Sequence, residues 1–171
     1  WIYWNNNSFI SATNTSTIIG LGAGTSTISG ADNNTVLGYR AFQGITTSAA
    51  DSNTAIGFKT LSSNTSGSEN TAVGSGAMQH LTGGIRNTAV GLGALNGTTV
   101  SSGNNAFGYN ALVINAGNGN SAFGSQSLDD NIGGANNSGF GNFAPGANSS
   151  GSENAAVGRS SLSGNTTGFY N

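Results

Sequence analysis

Charge is what this sequence has least of. Four Lys and Arg and six Asp and Glu make 6% of 171 residues, against roughly a quarter in an ordinary domain. The formal net charge of −2 provides no field for nucleic acid or an anionic lipid surface, and four scattered cations make no phosphate-binding stripe. There is no cysteine, so disulfides and thiolate metal sites are excluded within these residues. The single histidine, His80, has no placeable partners for a triad or a histidine metal site. No apolar run approaches the roughly 18 residues of a membrane-spanning helix. The chain begins at Trp1 without a Met or a signal-peptide pattern, as expected of a processed or partial chain.

What is abundant is glycine, at 29 residues, together with Asn, Ser and Thr. Such a composition can signal disorder, but here the apolar residues recur at fixed intervals. Asn53-Thr54-Ala55-Ile56-Gly57, Asn70-Thr71-Ala72-Val73-Gly74 and Asn87-Thr88-Ala89-Val90-Gly91 are successive copies of one unit. The register glycines Gly20, Gly38, Gly57, Gly74, Gly91, Gly108, Gly124, Gly141 and Gly158 are separated by 18, 19, 17, 17, 17, 16, 17 and 17 residues. Each unit reads as a short Asn-Thr-Ala-Val strand, a glycine bend, a second short strand ending in Leu, and a polar loop. The segments are too short, and too rich in Gly, Asn, Ser and Thr, for helix. A unit of this size cannot bury its own apolar face, whereas stacked units can. The expected fold is therefore all-β, a parallel β-solenoid of about nine coils with about 17 residues per coil, its strands about 4.8 Å apart.

Alternation within the strand places Thr71 and Val73 on one face and Ala72 on the other. The larger column is expected to be the core stripe: Ile19, Leu37, Ile56, Val73, Val90, Phe107, Phe123, Phe140 and Val157. A facing column would comprise Phe42, Leu61, Met78, Leu95, Leu112, Leu128 and Leu162, with an irregularity where Pro145 replaces the leucine. On this assignment an Asp at Val73 or Val90 is severely destabilising. The column Asn34, Asn53, Asn70, Asn87, Asn104, Asn120, Asn137 and Asn154 is expected to form an amide ladder at a turn. The small column Ala55, Ala72, Ala89, Ala106, Ala122 and Ala156 would lie on the opposite face, either lining an interface between chains or merely tolerated inside. Trp1, Tyr3 and Trp4 stand outside the repeat. Residues 1–15 are expected to cap the open end or mediate assembly, with 16–171 forming the solenoid and the repeats continuing past Asn171.

The units around Asn53–Thr60, Asn70–Ala77 and Asn87–Ala94 resemble the head repeats of trimeric autotransporter adhesins of the YadA type, and similar arrays occur in phage tail-fibre and other extracellular proteins. The resemblance covers about residues 16–171. It implies a left-handed parallel β-roll, three chains side by side and adhesion to matrix or host surfaces. The repeat here is longer than that family's usual unit, through extra loop residues.

No catalytic constellation emerges. Glu69 and Glu153 occupy the same slot five periods apart, too distant for paired-carboxylate chemistry. Asp129-Asp130-Asn131 has oxygens suited to calcium but reads first as a solvated turn. Gly20-Leu21-Gly22-Ala23-Gly24 occupies the repeat's own bend and has no helix after it, so it is no nucleotide loop. Glycosylation acceptor triplets begin at Asn6, Asn14, Asn33, Asn64, Asn96, Asn136, Asn148 and Asn165. The expected function is a non-enzymatic structural or adhesive component of an extracellular, cell-surface or virion fibre, without cofactor or metal. It would self-associate as a homotrimer or filament, with surface glycans or host matrix as further partners. The alternative is a secreted matrix protein polymerising end to end. A polysaccharide-cleaving tailspike and an ice-binding solenoid rank below these.

Overall fold

The computed structural model describes residues 15–24, 30–146 and 148–171. Trp1, Tyr3 and Trp4, and with them the expected cap, lie outside the described residues. Nine strands of three residues each form one parallel sheet in chain order: β1 (Thr17–Ile19), β2 (Thr35–Leu37), β3 (Thr54–Ile56), β4 (Thr71–Val73), β5 (Thr88–Val90), β6 (Asn105–Phe107), β7 (Ser121–Phe123), β8 (Ser138–Phe140) and β9 (Ala155–Val157). The register is the sequence repeat itself, with Thr71 opposite Thr88, Ala72 opposite Ala89 and Val73 opposite Val90. The chain is thus a β-solenoid of about eight turns, and there is no helix among the described residues.

Each coil contributes one strand rather than the expected two. The segment after the glycine bend is a chain of turns, and its leucine sits in the left-handed region, as at Leu61 (φ 49°), Met78 (φ 50°), Leu95 (φ 52°) and Leu128 (φ 51°). A bulky residue there is strained. It is held because its side chain fills the interior: Phe42, Leu61, Met78, Leu95, Leu112 and Leu128 are all fully buried.

The two strand faces are the reverse of the expected assignment. Ala55, Ala72, Ala89, Ala106 and Ala122 are fully buried, and Ala156 nearly so, which rules the alanine column out as an interface. The expected core stripe faces outward. Ile19 is 50% exposed and Val157 77%; Leu37, Phe123 and Phe140 are exposed, and Ile56, Val73, Val90 and Phe107 are half-buried. The reason is steric. A three-residue strand turns only its middle residue inward, and the leucine column already occupies the interior from the turn side. From β3 onward the space left over the sheet holds a methyl group and little more, whereas the first two coils bury Ile18 and Val36 at the same place.

The asparagine that opens each coil shares the alanine's parity and is buried with it. Asn87 donates from Nδ2 to Asn70 Oδ1 (3.1 Å) and to the Ser101 carbonyl (2.9 Å). Its Oδ1 accepts the Asn104 amide (2.9 Å) and Asn104 Nδ2 (3.3 Å). The pattern repeats through Asn53, Asn70, Asn137 and Asn154. A second, shorter column in the C-terminal half was not anticipated. Asn131 Nδ2 donates to Asn115 Oδ1 and Asn148 Nδ2 to Asn131 Oδ1, both at 2.8 Å. Its sequence signature is Asn-x-x-Gly, as in Asn131–Gly134 and Asn148–Gly151, where Asn Nδ2 also donates to the glycine carbonyl.

Pro145 does create a local irregularity, and two other departures from the repeat accommodate it. Proline cannot adopt the left-handed conformation of the leucine column. In the coils before it, the amide of the column residue donates to the next coil's carbonyl, as Leu95 does to Ala111 (3.0 Å). At the corresponding Ala144 carbonyl the donor is the hydroxyl of Ser127 (2.5 Å), which also reaches the Gly139 carbonyl (3.0 Å). Ser127 stands where most coils have alanine, and Gly139 stands in the buried alanine column. A Cβ at Gly139 would lie 2.1 Å from the Ala144 oxygen and 2.6 Å from Ser127 Oγ. Gly139→Ala is therefore expected to destabilise by several kcal/mol although it restores the repeat consensus. A thermal melt of the variant equal to that of the parent would show this seam to be unconstrained.

Candidate functional site

The outer face of the sheet carries the largest exposed apolar side chains of the strands. Its two columns run the length of the solenoid, one of Thr, Asn, Ser and Ala, the other of Ile, Leu, Val and Phe. Neither contains a charged residue. The rings of Phe107, Phe123 and Phe140 are stacked, with centroids 4.8 and 5.0 Å apart and planes within 6° and 4°. Two residues further along, Leu21, Tyr39, Phe58, Leu92 and Tyr109 form a second exposed apolar row, interrupted by Ser75 and replaced by Ser125, Asn142 and Arg159 in the last three coils. Tyr39 and Phe58 stack at 5.6 Å, and Arg40 and Lys59 lie over their rings at 5.2 and 5.3 Å. Half of the chain's four cations are thus held against aromatic faces.

The acidic residues form no catalytic pair among the described residues. Glu69 accepts from Arg86 Nε at 2.8 Å in an exposed ion pair, and Glu153 lies five coils away. No group of three or more His, Asp or Glu suited to a metal occurs among the described residues. His80 is exposed on its turn.

Asp129 is different. Its Oδ1 is buried and has no hydrogen-bond partner. Burial first, and the neighbouring Asp130 charge second, raise its carboxyl above the ordinary range. A raised folded value means that the folded state holds the proton more tightly. The penalty is then fully present above the folded value and absent below the unfolded value of 3.8. Asp129→Asn is expected to raise the melting temperature at neutral pH, with the gain vanishing in acid. A gain that persisted unchanged below that value would exclude ionisation as its cause.

The acceptor triplets divide by burial. Asn64 and Asn148 are fully buried and are excluded from glycosylation in the folded state, whereas Asn33 and Asn136 are exposed.

A concave site not foreseen from the sequence lies at the corner that precedes each strand. It has a volume of about 320 Å³ and is bounded by Ile85, Arg86, Ser102, Gly103, Asn118, Gly119 and Asn136. These residues come from the last two places of four successive coils. The signal was present as two consecutive coils ending in glycine, Gly103 and Gly119, among coils ending in Asn, Ser, Glu, Arg or Tyr.

No protein-family model matches the chain, no curated protein matches its sequence, and no solved structure matches its fold.

Proposed function

We propose that this chain is a non-enzymatic structural and adhesive segment of an extracellular fibre, on a cell surface or a virion, and that it associates side by side with copies of itself through the outer face of the sheet. The observation that carries this is the apolar surface formed by the outward strand column and the row beside it. Ten large side chains there, from Ile19 and Leu21 to Phe140 and Val157, average about half exposed. Five of them are aromatic; at about 200 Å² per aromatic side chain these alone present about 450 Å², to which Ile19, Leu21, Leu37, Leu92 and Val157 add. The largest apolar patch of an ordinary monomer is about 300–600 Å², and a stable interface buries about 800 Å² per partner. The two in-register strand columns, neither of which carries a charge, suit a parallel neighbour, as the trimer implied by the adhesin resemblance would require. The coils supply rigid length, and the polar loops offer a variable outer surface.

Sedimentation velocity tests this on the parent chain and on Phe123→Glu combined with Leu92→Glu. The parent is expected to be oligomeric and the double variant monomeric, with the same far-UV dichroism. A parent that stays monomeric at high concentration, or an oligomer indifferent to both substitutions, would overturn the assembly face.

A further inference from the structure

We propose that the corner notch between Arg86 and Asn136 is a binding site for a neutral hexose unit of a surface glycan. This deepens the adhesive part of the proposed function and rests on it, but the notch lies apart from the apolar assembly face.

The notch exists because side chains are missing at one place in two adjacent coils. From Asn33 (φ 59°) onward that place is left-handed in each coil, glycine or not: Ser52 (φ 58°), Glu69 (φ 58°), Arg86 (φ 57°), Asn136 (φ 56°) and Glu153 (φ 60°) all adopt it. Gly103, at φ 69°, is therefore not required by the backbone. Nor is it required by space, since a Cβ there would meet nothing closer than 3.9 Å. The consequence of Gly103 is the opening itself, at the lower end of the volume range of small-ligand sites.

The lining groups match a sugar. Several polar atoms have no protein partner. The Ser102 hydroxyl accepts the Ile85 amide (3.0 Å) and keeps its own proton to donate. Asn118 Oδ1 accepts the Ser102 amide (2.7 Å), leaving Nδ2 unengaged. The Asn136 side-chain amide makes no hydrogen bond to the described residues. Arg86 uses Nε on Glu69 and keeps its terminal nitrogens. Donors and acceptors thus converge around one partly exposed aliphatic side chain, Ile85, which supplies a surface for sugar C–H groups. The guanidinium is already neutralised by Glu69, which favours hydroxyl groups over a carboxylate.

The test is saturation-transfer NMR with methyl glucoside, methyl galactoside and methyl mannoside, and with glucuronate as the charged comparator. At least one hexoside is expected to receive saturation from the parent chain, and glucuronate less. Gly103→Asn places in the notch a side chain that the fold already accepts at Asn33 and Asn136. It is expected to leave the melting temperature unchanged and to weaken binding at least tenfold. Arg86→Gln, at an exposed position, is expected to weaken it as well. No saturation of any hexoside, preferential saturation of glucuronate, or undiminished binding by Gly103→Asn would each overturn the proposal. Sedimentation of the same variants keeps the two proposals separable, since neither substitution touches the apolar face.

Discussion

Ala89→Asp is expected to prevent folding, whereas Val90→Asp, one residue later, is expected to leave the chain folded. Ala89 is fully buried, with Ala72 and Ala106 in register on either side. An aspartate there must fit where only a methyl fits, and its charge must leave water without a partner. Together these place the substitution among the few that cost more than about 4–5 kcal/mol. Val90 looks outward and is half-buried between Val73 and Phe107. A carboxylate there stays hydrated, and the loss is limited to apolar contact with those neighbours, about 1 kcal/mol. The expectation drawn from sequence, that a charge at Val90 is ruinous, is thus transferred to its neighbour. Far-UV melts of the two variants decide it: a folded Ala89→Asp beside an unfolded Val90→Asp would restore the original orientation of the strand.

Removing one rung of the asparagine ladder is expected to have the next largest effect. In Asn87→Ala the Asn104 backbone amide and the Ser101 carbonyl both lose their partner inside the solenoid. Each orphaned buried group costs about 1–3 kcal/mol, so a loss of about 2–6 kcal/mol is expected. Asn96, half-buried and with an Oδ1 that has no partner, is the control, and Asn96→Ala should be nearly neutral. Equal urea midpoints for the two variants would show that the ladder adds nothing beyond packing.

The period of the coil was fully legible, because the register glycine is needed at every turn. At Gly91 φ is 136°, and a Cβ would lie 2.4 Å from the Gly108 oxygen. The asparagine column was legible for the same reason, since one residue type recurs at one place. The orientation of the strand was misjudged by giving the interior to the larger side chains. Uniformity was the better guide. From Ala55 to Ala122 the inner column admits only alanine, while the outer one changes freely among Ile, Val and Phe. A crowded interior fixes size, and an open face does not. The single-strand coil was missed because leucine at positive φ is rare, and nothing in a Gly-Ala-Leu segment announces it. Pro145 announced its own irregularity, but Ser127 and Gly139, the residues that accommodate it, lie 18 and 6 residues away in sequence and become meaningful only when the coils are stacked. The notch was not legible because Gly103 and Gly119 look like any other loop glycine in a chain with 29 of them.

The hydrogen bonds of the sheet run along the solenoid axis, with the strands lying across it. A load applied between the two ends therefore falls on one rung at a time, and the chain yields by peeling rather than by shearing. Each released coil of 17 residues adds about 55 Å of contour. Extension would proceed as a staircase of modest, nearly equal steps, with the coil around Pro145 as the natural place for it to begin. Such a solenoid dissipates a pull gradually and keeps its remaining coils in register.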